Sequence, residues 1–290
     1  MNRLTGILLV VVSAASFGSL AIFGRFAYAA GLDVSTLLFL RFSFSAVIMA
    51  VLLLVRREPL PRGRSLALLG GMGGIGYVGQ SLCYLTAIQY ASAGLVALLL
   101  YLYPTFVTLL SAVFLKTRLT RLKLLALGLA TLGAALTANP QGGQGIGILL
   151  AVSAAAIYAV YIIVGAGVMK TVSSFQSSAV IFASAGAVFG ALTAVQGPHW
   201  PVSAAGWASV AGIVVVATVI PVVTFLAGLK RIGPTDASML STLEPFVTVL
   251  LAALLLNETL QPVTLLGGAL ILAAVLLLTR TPTRPANLKI

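Results

Sequence analysis

Charge is scarce in this sequence. Only 8% of its 290 residues are charged, with 5 acidic side chains, a single histidine and a single cysteine. A soluble domain carries about 25% charged residues, so too little polar surface is present to cover a globule in water. The lone Cys83 excludes an internal disulfide. No His/Cys/acid cluster has metal-ligand spacing, and no Ser/His/Asp grouping or Cys/His pair is in evidence, so neither a metal, a cofactor nor an enzyme activity is expected. No cleavable signal peptide is expected either, because the N-terminal apolar run is too long and continues into helix-like sequence.

What is abundant is apolar sequence, at 60% of residues. Stretches of roughly 20 apolar residues recur, each long enough to cross a bilayer core of about 30 Å as a helix. A β-barrel would alternate polar and apolar residues, and runs such as 7–15 and 249–256 do not. The pattern predicts an all-α integral membrane protein with ten transmembrane helices, near residues 6–29, 34–55, 66–88, 91–114, 119–138, 147–169, 175–195, 205–228, 235–256 and 262–279. Breakers mark the connections: Pro59 and Pro61, Asn139-Pro140 with Gly142-Gly143, Gly197-Pro198, Gly233-Pro234, and Pro262.

The net charge of +12 invites a nucleic-acid reading, but the positions of the basic residues argue for a bilayer. Arg3, Arg56, Arg57, Arg62, Arg64, Lys116, Arg118, Arg121, Lys123, Lys170, Lys230, Arg231, Arg280, Arg284 and Lys289 all fall on one side of alternating spans. The opposite loops hold Asp33, His199 and Glu258. Positive-inside placement puts both termini in the cytoplasm of a multi-pass protein.

The chain also matches itself. Gly6-Ile7-Leu8-Leu9 falls on Gly147-Ile148-Leu149-Leu150, and Tyr103-Pro104 falls on Glu244-Pro245, at one offset of 141 residues. Residues 1–140 and 141–290 thus read as two copies of a five-helix unit. An odd number of spans per copy makes the second enter from the opposite side, giving inverted repeats with a site at their interface.

Asp236-Ala237-Ser238 leads into Leu243-Glu244-Pro245, followed by Asn257-Glu258-Thr259-Leu260 and Gly267-Gly268. These motifs resemble the EamA-type branch of the drug/metabolite transporter superfamily, over nearly the whole chain as two tandem repeats. The first copy departs from the pattern, with Thr117 where an acid is usual and Tyr103 in place of the Glu before proline. The resemblance extends to bacterial amino-acid exporters, including those for aromatic amino acids. It implies export of small amphipathic metabolites across an inner membrane, through a cavity lined by spans one, three, four, six, eight and nine. A monomer suffices for that architecture.

Glu244 is the most expensive residue to place. It sits near the middle of span nine, where a carboxylate costs at least about 2.5 kcal/mol on insertion scales. It either serves proton coupling or a substrate amine, or it is a hydrogen-bonded carboxyl supporting the break at Pro245. Pro104, Pro221 and Pro245 are the expected kink and gating positions, with Pro104 and Pro245 bending helix interiors by removing a backbone bond. Tyr77, Gln80, Ser81 and Tyr84 share one helical face by their i, i+3, i+4, i+7 spacing. With Tyr101, Tyr158, Tyr161 and Ser241 they are the candidate substrate-binding wall, since aromatic faces suit an amphipathic ligand. Interfacial packing is the alternative for the tyrosines. Ser238, Ser241, Thr242 and Thr248 equally fit a role in helix packing. Gly71, Gly73 and Gly76 match G-x-G-x-x-G, but no strand precedes them, and close helix packing explains them better. Arg25 and Arg41 read as local ion pairs with Asp33 or as snorkelling side chains, with recruitment of a substrate carboxylate as the sharper alternative. An anionic-metabolite or nucleotide-sugar exchanger, which needs deep cations, and a structural membrane subunit are the competing functional readings.

Overall fold

In the computed structural model, residues 3–91, 93–117, 119–138, 144–256 and 261–279 are described. Asn139-Pro140, Gly142-Gly143, Arg118, the Asn257–Leu260 motif, Arg280, Arg284 and Lys289 lie outside them. Helices dominate, as backbone groups in lipid require. In chain order they are α1 (Arg3–Gly18), α2 (Leu20–Ala29), α3 (Val34–Arg56), α4 (Gly63–Gly71), α5 (Val78–Tyr90), α6 (Ala93–Leu100), α7 (Tyr103–Phe114), α8 (Arg121–Ala138), α9 (Gly145–Val168), α10 (Ser174–Gln196), α11 (Ala204–Val214), α12 (Ile220–Leu240), α13 (Leu243–Leu256) and α14 (Pro262–Thr279). Two π-helical stretches, Met72–Tyr77 and Val215–Val219, join α4 to α5 and α11 to α12.

Among the described residues seven helical runs are long and apolar enough to cross a membrane, and two shorter apolar helices, Leu243–Leu255 and Pro262–Leu278, accompany them. The outer surface is apolar too: Leu54, Val55, Ile75 and Leu254 each keep about three quarters of their side chain exposed. Such residues belong against lipid rather than water.

The duplication is visible in the elements. Helices α8 and α14 begin and end at the same offset of 141 residues that relates Gly6 to Gly147. The two π stretches overlap at that offset, and so do breaks at residues 101–102 and 241–242. Packing is reciprocal: α3 lies on its counterpart α10, α8 on α14, and the α1–α12 contact is mirrored by α5–α9. Small residues allow these close approaches. A Cβ on Gly228 would stand 2.5 Å from Val10, and one on Gly133 2.6 Å from the Gly267 carbonyl. Gly73 behaves as expected for close packing, since a Cβ there would collide with α10, whereas Gly71 has nothing within 4 Å.

Two sequence expectations are corrected here. Pro104 and Pro245 do not bend helix interiors. Pro104 lies in the first turn of α7 and Pro245 follows Glu244 in the first turn of α13, each just beyond a break. A first-turn proline lacks only an amide that has no intrahelical partner anyway, so it starts a helix at little cost. At the breaks the amides reach back three residues, Leu102 to the Leu99 carbonyl and Thr242 to that of Met239. Pro221 likewise follows a π stretch, and its carbonyl accepts from Ser13 Oγ at 2.8 Å. The single run 204–240 is itself interrupted at Gly233, whose φ of 81° is left-handed and open to glycine.

Arg41 is the second correction. It neither snorkels nor pairs with Asp33. Asp33 instead caps α3, accepting from the amides of Ser35 (3.0 Å) and Thr36 (3.2 Å) and from the Ser35 hydroxyl, and lies 3.4 Å from His199 Nδ1. Burial pushes its carboxyl up, but these hydrogen bonds outweigh that and hold it well below the usual carboxylate range.

Candidate functional site

The break at residues 241–242 places Glu244 in the first turn of α13. A carboxylate there faces the positive end of the helix dipole, which offsets part of its burial cost. Around it stand Tyr84, Tyr101, Tyr103 and Tyr158, each close enough for electrostatic interaction with the carboxyl. Glu244, Tyr101 and Tyr158 are half-buried, so each keeps accessible surface.

The tyrosines form a chain of ring contacts. Tyr101 meets Tyr103 at 6.3 Å between centroids, and Tyr103 meets Tyr158 edge-on at 4.8 Å. Tyr158 stacks on Tyr161 at 5.8 Å, and Tyr161 meets Tyr77 at 5.9 Å. Tyr77 then contacts Phe42 at 4.9 Å. Four elements contribute: the break before α7, α7 itself, α9 and the first π stretch. Such ring pairs add about 0.5–1.5 kcal/mol each beyond area burial.

Of the expected wall residues, Tyr77, Tyr101, Tyr158 and Tyr161 lie in this chain, and Tyr84 and Glu244 lie beside it. Ser241 lies against the Tyr103 hydroxyl, and its own hydroxyl donates to the Ala237 carbonyl. Gln80 and Ser81 are not among the ring contacts; Ser81 Oγ donates to Gln80 Oε1 at 3.5 Å. Ser238 donates to a carbonyl of its own helix, Thr242 in the break reaches back to the Met239 carbonyl of α12, and Thr248 reaches the Gly18 carbonyl of α1. Only the Thr248 bond joins two helices, as a helix-packing role requires.

Sequence reasoning missed Tyr103 as a wall residue. It is buried, donates to the Ser238 carbonyl at 3.4 Å and links Tyr101 to Tyr158 in the ring chain. The signal was available, since Tyr103 is the repeat counterpart of Glu244. Arg41 also belongs here. Only 6% exposed, it donates from Nε to Thr218 Oγ1 at 2.7 Å and from Nη2 to the Tyr77 hydroxyl at 3.3 Å. Its guanidinium lies 5.0 Å from the Phe42 ring centroid and within electrostatic reach of Glu244.

A separate charged cluster closes the end of the bundle where α1 and α8 begin. Asp236, 2% exposed, is held by Lys123, and Arg3 Nη2 stands 3.6 Å away while donating to the Leu278 carbonyl. No group of His, Cys, Asp and Glu that could hold a metal occurs among the described residues.

Two like halves of apolar, membrane-length helices, packed on one another with tyrosines and one carboxylate between them, define a polytopic membrane protein. Comparison with known proteins carries this further: the EamA-like transporter family matches residues 4–139 and again 145–280, and the chain belongs to that family. An uncharacterized transporter of Archaeoglobus fulgidus is 30% identical over 92% of this chain and 94% of its own length. The uncharacterized transporter YcbK of Bacillus subtilis is 25% identical over 90% of this chain and 88% of its own. A protein of known crystal structure aligns with a TM-score of 0.85 at 20% identity, over 96% of this chain and 97% of its own, which speaks to the fold alone. The family and these relatives point to a transporter rather than an enzyme, acting on a small molecule within a lipid bilayer.

Proposed function

We propose that this transporter exports small amphipathic metabolites, above all amino acids including aromatic ones, across a bacterial inner membrane. The observation that carries the reading is the tyrosine wall closing on one carboxylate, Glu244, at a helix break inside the bundle. Aromatic faces take up an apolar side chain. Glu244 takes up an α-ammonium through a charge-assisted hydrogen bond. Tyr77, Gln80, Ser81, Tyr84, Tyr101, Tyr158, Tyr161 and Ser241 are the remaining wall.

The halves 1–140 and 141–290 act as inverted five-helix repeats, ten spans in all, with both termini cytoplasmic. The reciprocal pairing of α1–α12 with α5–α9 supports a pseudo-two-fold relation between them. Alternating access follows when one half rocks against the other. The breaks preceding Pro104 and Pro245, and the π stretch before Pro221, are the points that bend, because their backbone bonding is already interrupted.

Purified protein in liposomes should move radiolabelled L-phenylalanine faster than empty vesicles do. Glu244→Gln and Gln80→Ala should each lower the rate, the former by roughly tenfold or more for a lost charged hydrogen bond, with the protein still folded and inserted. No flux for any amino acid would refute the substrate class. A rate indifferent to an imposed pH gradient would remove Glu244 from any proton-coupling role.

A further inference from the structure

Arg41 is a buried cation with no acid in contact among the described residues. Among the described residues no carboxylate lies within 4 Å of it, and its neighbours are hydroxyls, a carbonyl and rings. An ionisable group inside a membrane bundle needs a partner, and where the protein supplies none a functional one is the default. Its five donors are unevenly used. Nε is bonded to Thr218, and Nη2 reaches the Tyr77 hydroxyl and, at 3.5 Å, the Ala217 carbonyl. Nη1 has no hydrogen-bond partner among the described residues and keeps some accessible surface.

The anchoring is specific. Tyr77 ends the first π stretch, Thr218 lies in the second, and the two are repeat counterparts at the offset of 141. The guanidinium is therefore gripped where equivalent points of the two halves meet. π-Helical turns recur at functional sites because they re-aim side chains. The grip fixes the guanidinium and leaves its Nη1 corner to a ligand. Beside the guanidinium begins the ring chain: the Tyr77 ring centroid lies 5.9 Å from its carbon, and Tyr161 and Tyr158 follow.

We propose that Arg41 is the anion-recognising end of the solute site, and that the solute is a carboxylate carrying an aromatic or amphipathic body. The carboxylate accepts from Nη1 of Arg41, and the body lies along Tyr77, Tyr161 and Tyr158 toward Glu244. This rests on the reading of the tyrosine-lined space as the solute site. A phosphate also suits a guanidinium, but one cation with Glu244 in electrostatic range favours a singly charged group.

The test is thermal unfolding of the detergent-purified protein with 3-phenylpropionate, with 3-phenylpropionamide and with inorganic phosphate, beside L-phenylalanine flux in liposomes. The acid should stabilise wild-type protein at concentrations about tenfold or more below the amide, as expected for a charged hydrogen bond. Arg41→Gln should abolish that preference and Arg41→Lys should restore part of it. The wild-type comparison of acid with amide needs no variant, so a misfolded Arg41→Gln leaves the test intact. Equal shifts by acid and amide, no shift by either, a preference surviving in Arg41→Gln, or phosphate outperforming the acid would each overturn the assignment. Phenylalanine flux inhibited equally by acid and amide would overturn Arg41 and leave transport standing. An acid preference without flux would sink amino-acid transport and leave the anion site standing.

Discussion

Gly73 offers a sharp test of how the two halves meet. It lies in the first π stretch, four residues before Tyr77, against α10 of the other half. A Cβ at this position would stand 2.1 Å from Ser184 Oγ and 2.3 Å from the Ile181 carbonyl oxygen. The hydroxyl can rotate away, but the carbonyl is helix backbone. Reaching an ordinary contact near 3.4 Å requires α10 to retreat by about 1 Å. Overpacking of this kind costs typically 1–3 kcal/mol, and a clash with backbone belongs at the upper end. Against it, alanine is better than glycine in a helix by about 1 kcal/mol. Gly73→Ala should therefore lose about 2 kcal/mol of stability, and its flux should fall because Tyr77 moves with it. Gly70 and Gly71 are internal controls, since a Cβ added at either would have nothing within 4 Å. Their alanine variants should be neutral or gain up to about 1 kcal/mol. Denaturant unfolding in detergent, with flux measured on the same preparations, compares the three. Gly73→Ala as stable and active as Gly71→Ala would refute the close approach of the halves at this seam.

Lys123→Ala should strand the buried Asp236 carboxylate; losing one partner of such a pair costs about 3–5 kcal/mol, and the remaining Arg3 sets the expectation at the low end. Unfolding should show that loss, and Lys123→Met with Asp236→Leu should recover most of it. Asp33→Ala should cost about 1 kcal/mol through the lost α3 cap. Because the folded carboxyl titrates below its ordinary value near 3.8, that contribution is complete above about pH 4 and fades as pH falls toward the folded value. Melting of wild type and variant should thus differ at pH 7 and converge in strong acid. A cysteine placed at either terminus of a Cys83→Ser background should resist an impermeant label applied from outside intact cells; labelling of one terminus alone would contradict an even number of spans.

Element positions were largely legible because the apolar runs are bounded by residues with one physical meaning. Arg121 and Pro262 open α8 and α14, and Gly197-Pro198 follows the end of α10. The breaks were not legible. Leu99 to Tyr103 and Leu240 to Leu243 are apolar or weakly polar, and hydropathy does not register a change from i−4 to i−3 bonding. Proline was a true signal read in the wrong sense: Pro104 and Pro245 mark where helices restart. Arg41 was misplaced for another reason. Counting residues from a helix end locates a Cα along the bilayer normal, but which neighbour the side chain meets depends on α12's π-helical prelude, 177 residues away.

The duplicated scaffold carries chemistry that is not duplicated. At the offset of 141, Glu244 falls on Tyr103, Arg41 on Phe182, Asp236 on Leu95 and Lys123 on Thr264. Each charge has a neutral counterpart, and physics gives a reason. Counterpart positions converge near the seam: α3 packs on α10, and Tyr103 lies within electrostatic reach of Glu244. A second glutamate at Tyr103 would set two carboxylates against each other, at an expense that low dielectric magnifies. A second arginine at Phe182 would face Arg41 across the same contact, since Phe182 lies 6.2 Å from the Phe42 ring. Retaining one charge of each sign gives the interior a polarity the fold itself lacks. On the proposed reading of the site, two like halves supply two equivalent ways to close, and Arg41 and Glu244 decide which end of a solute goes where.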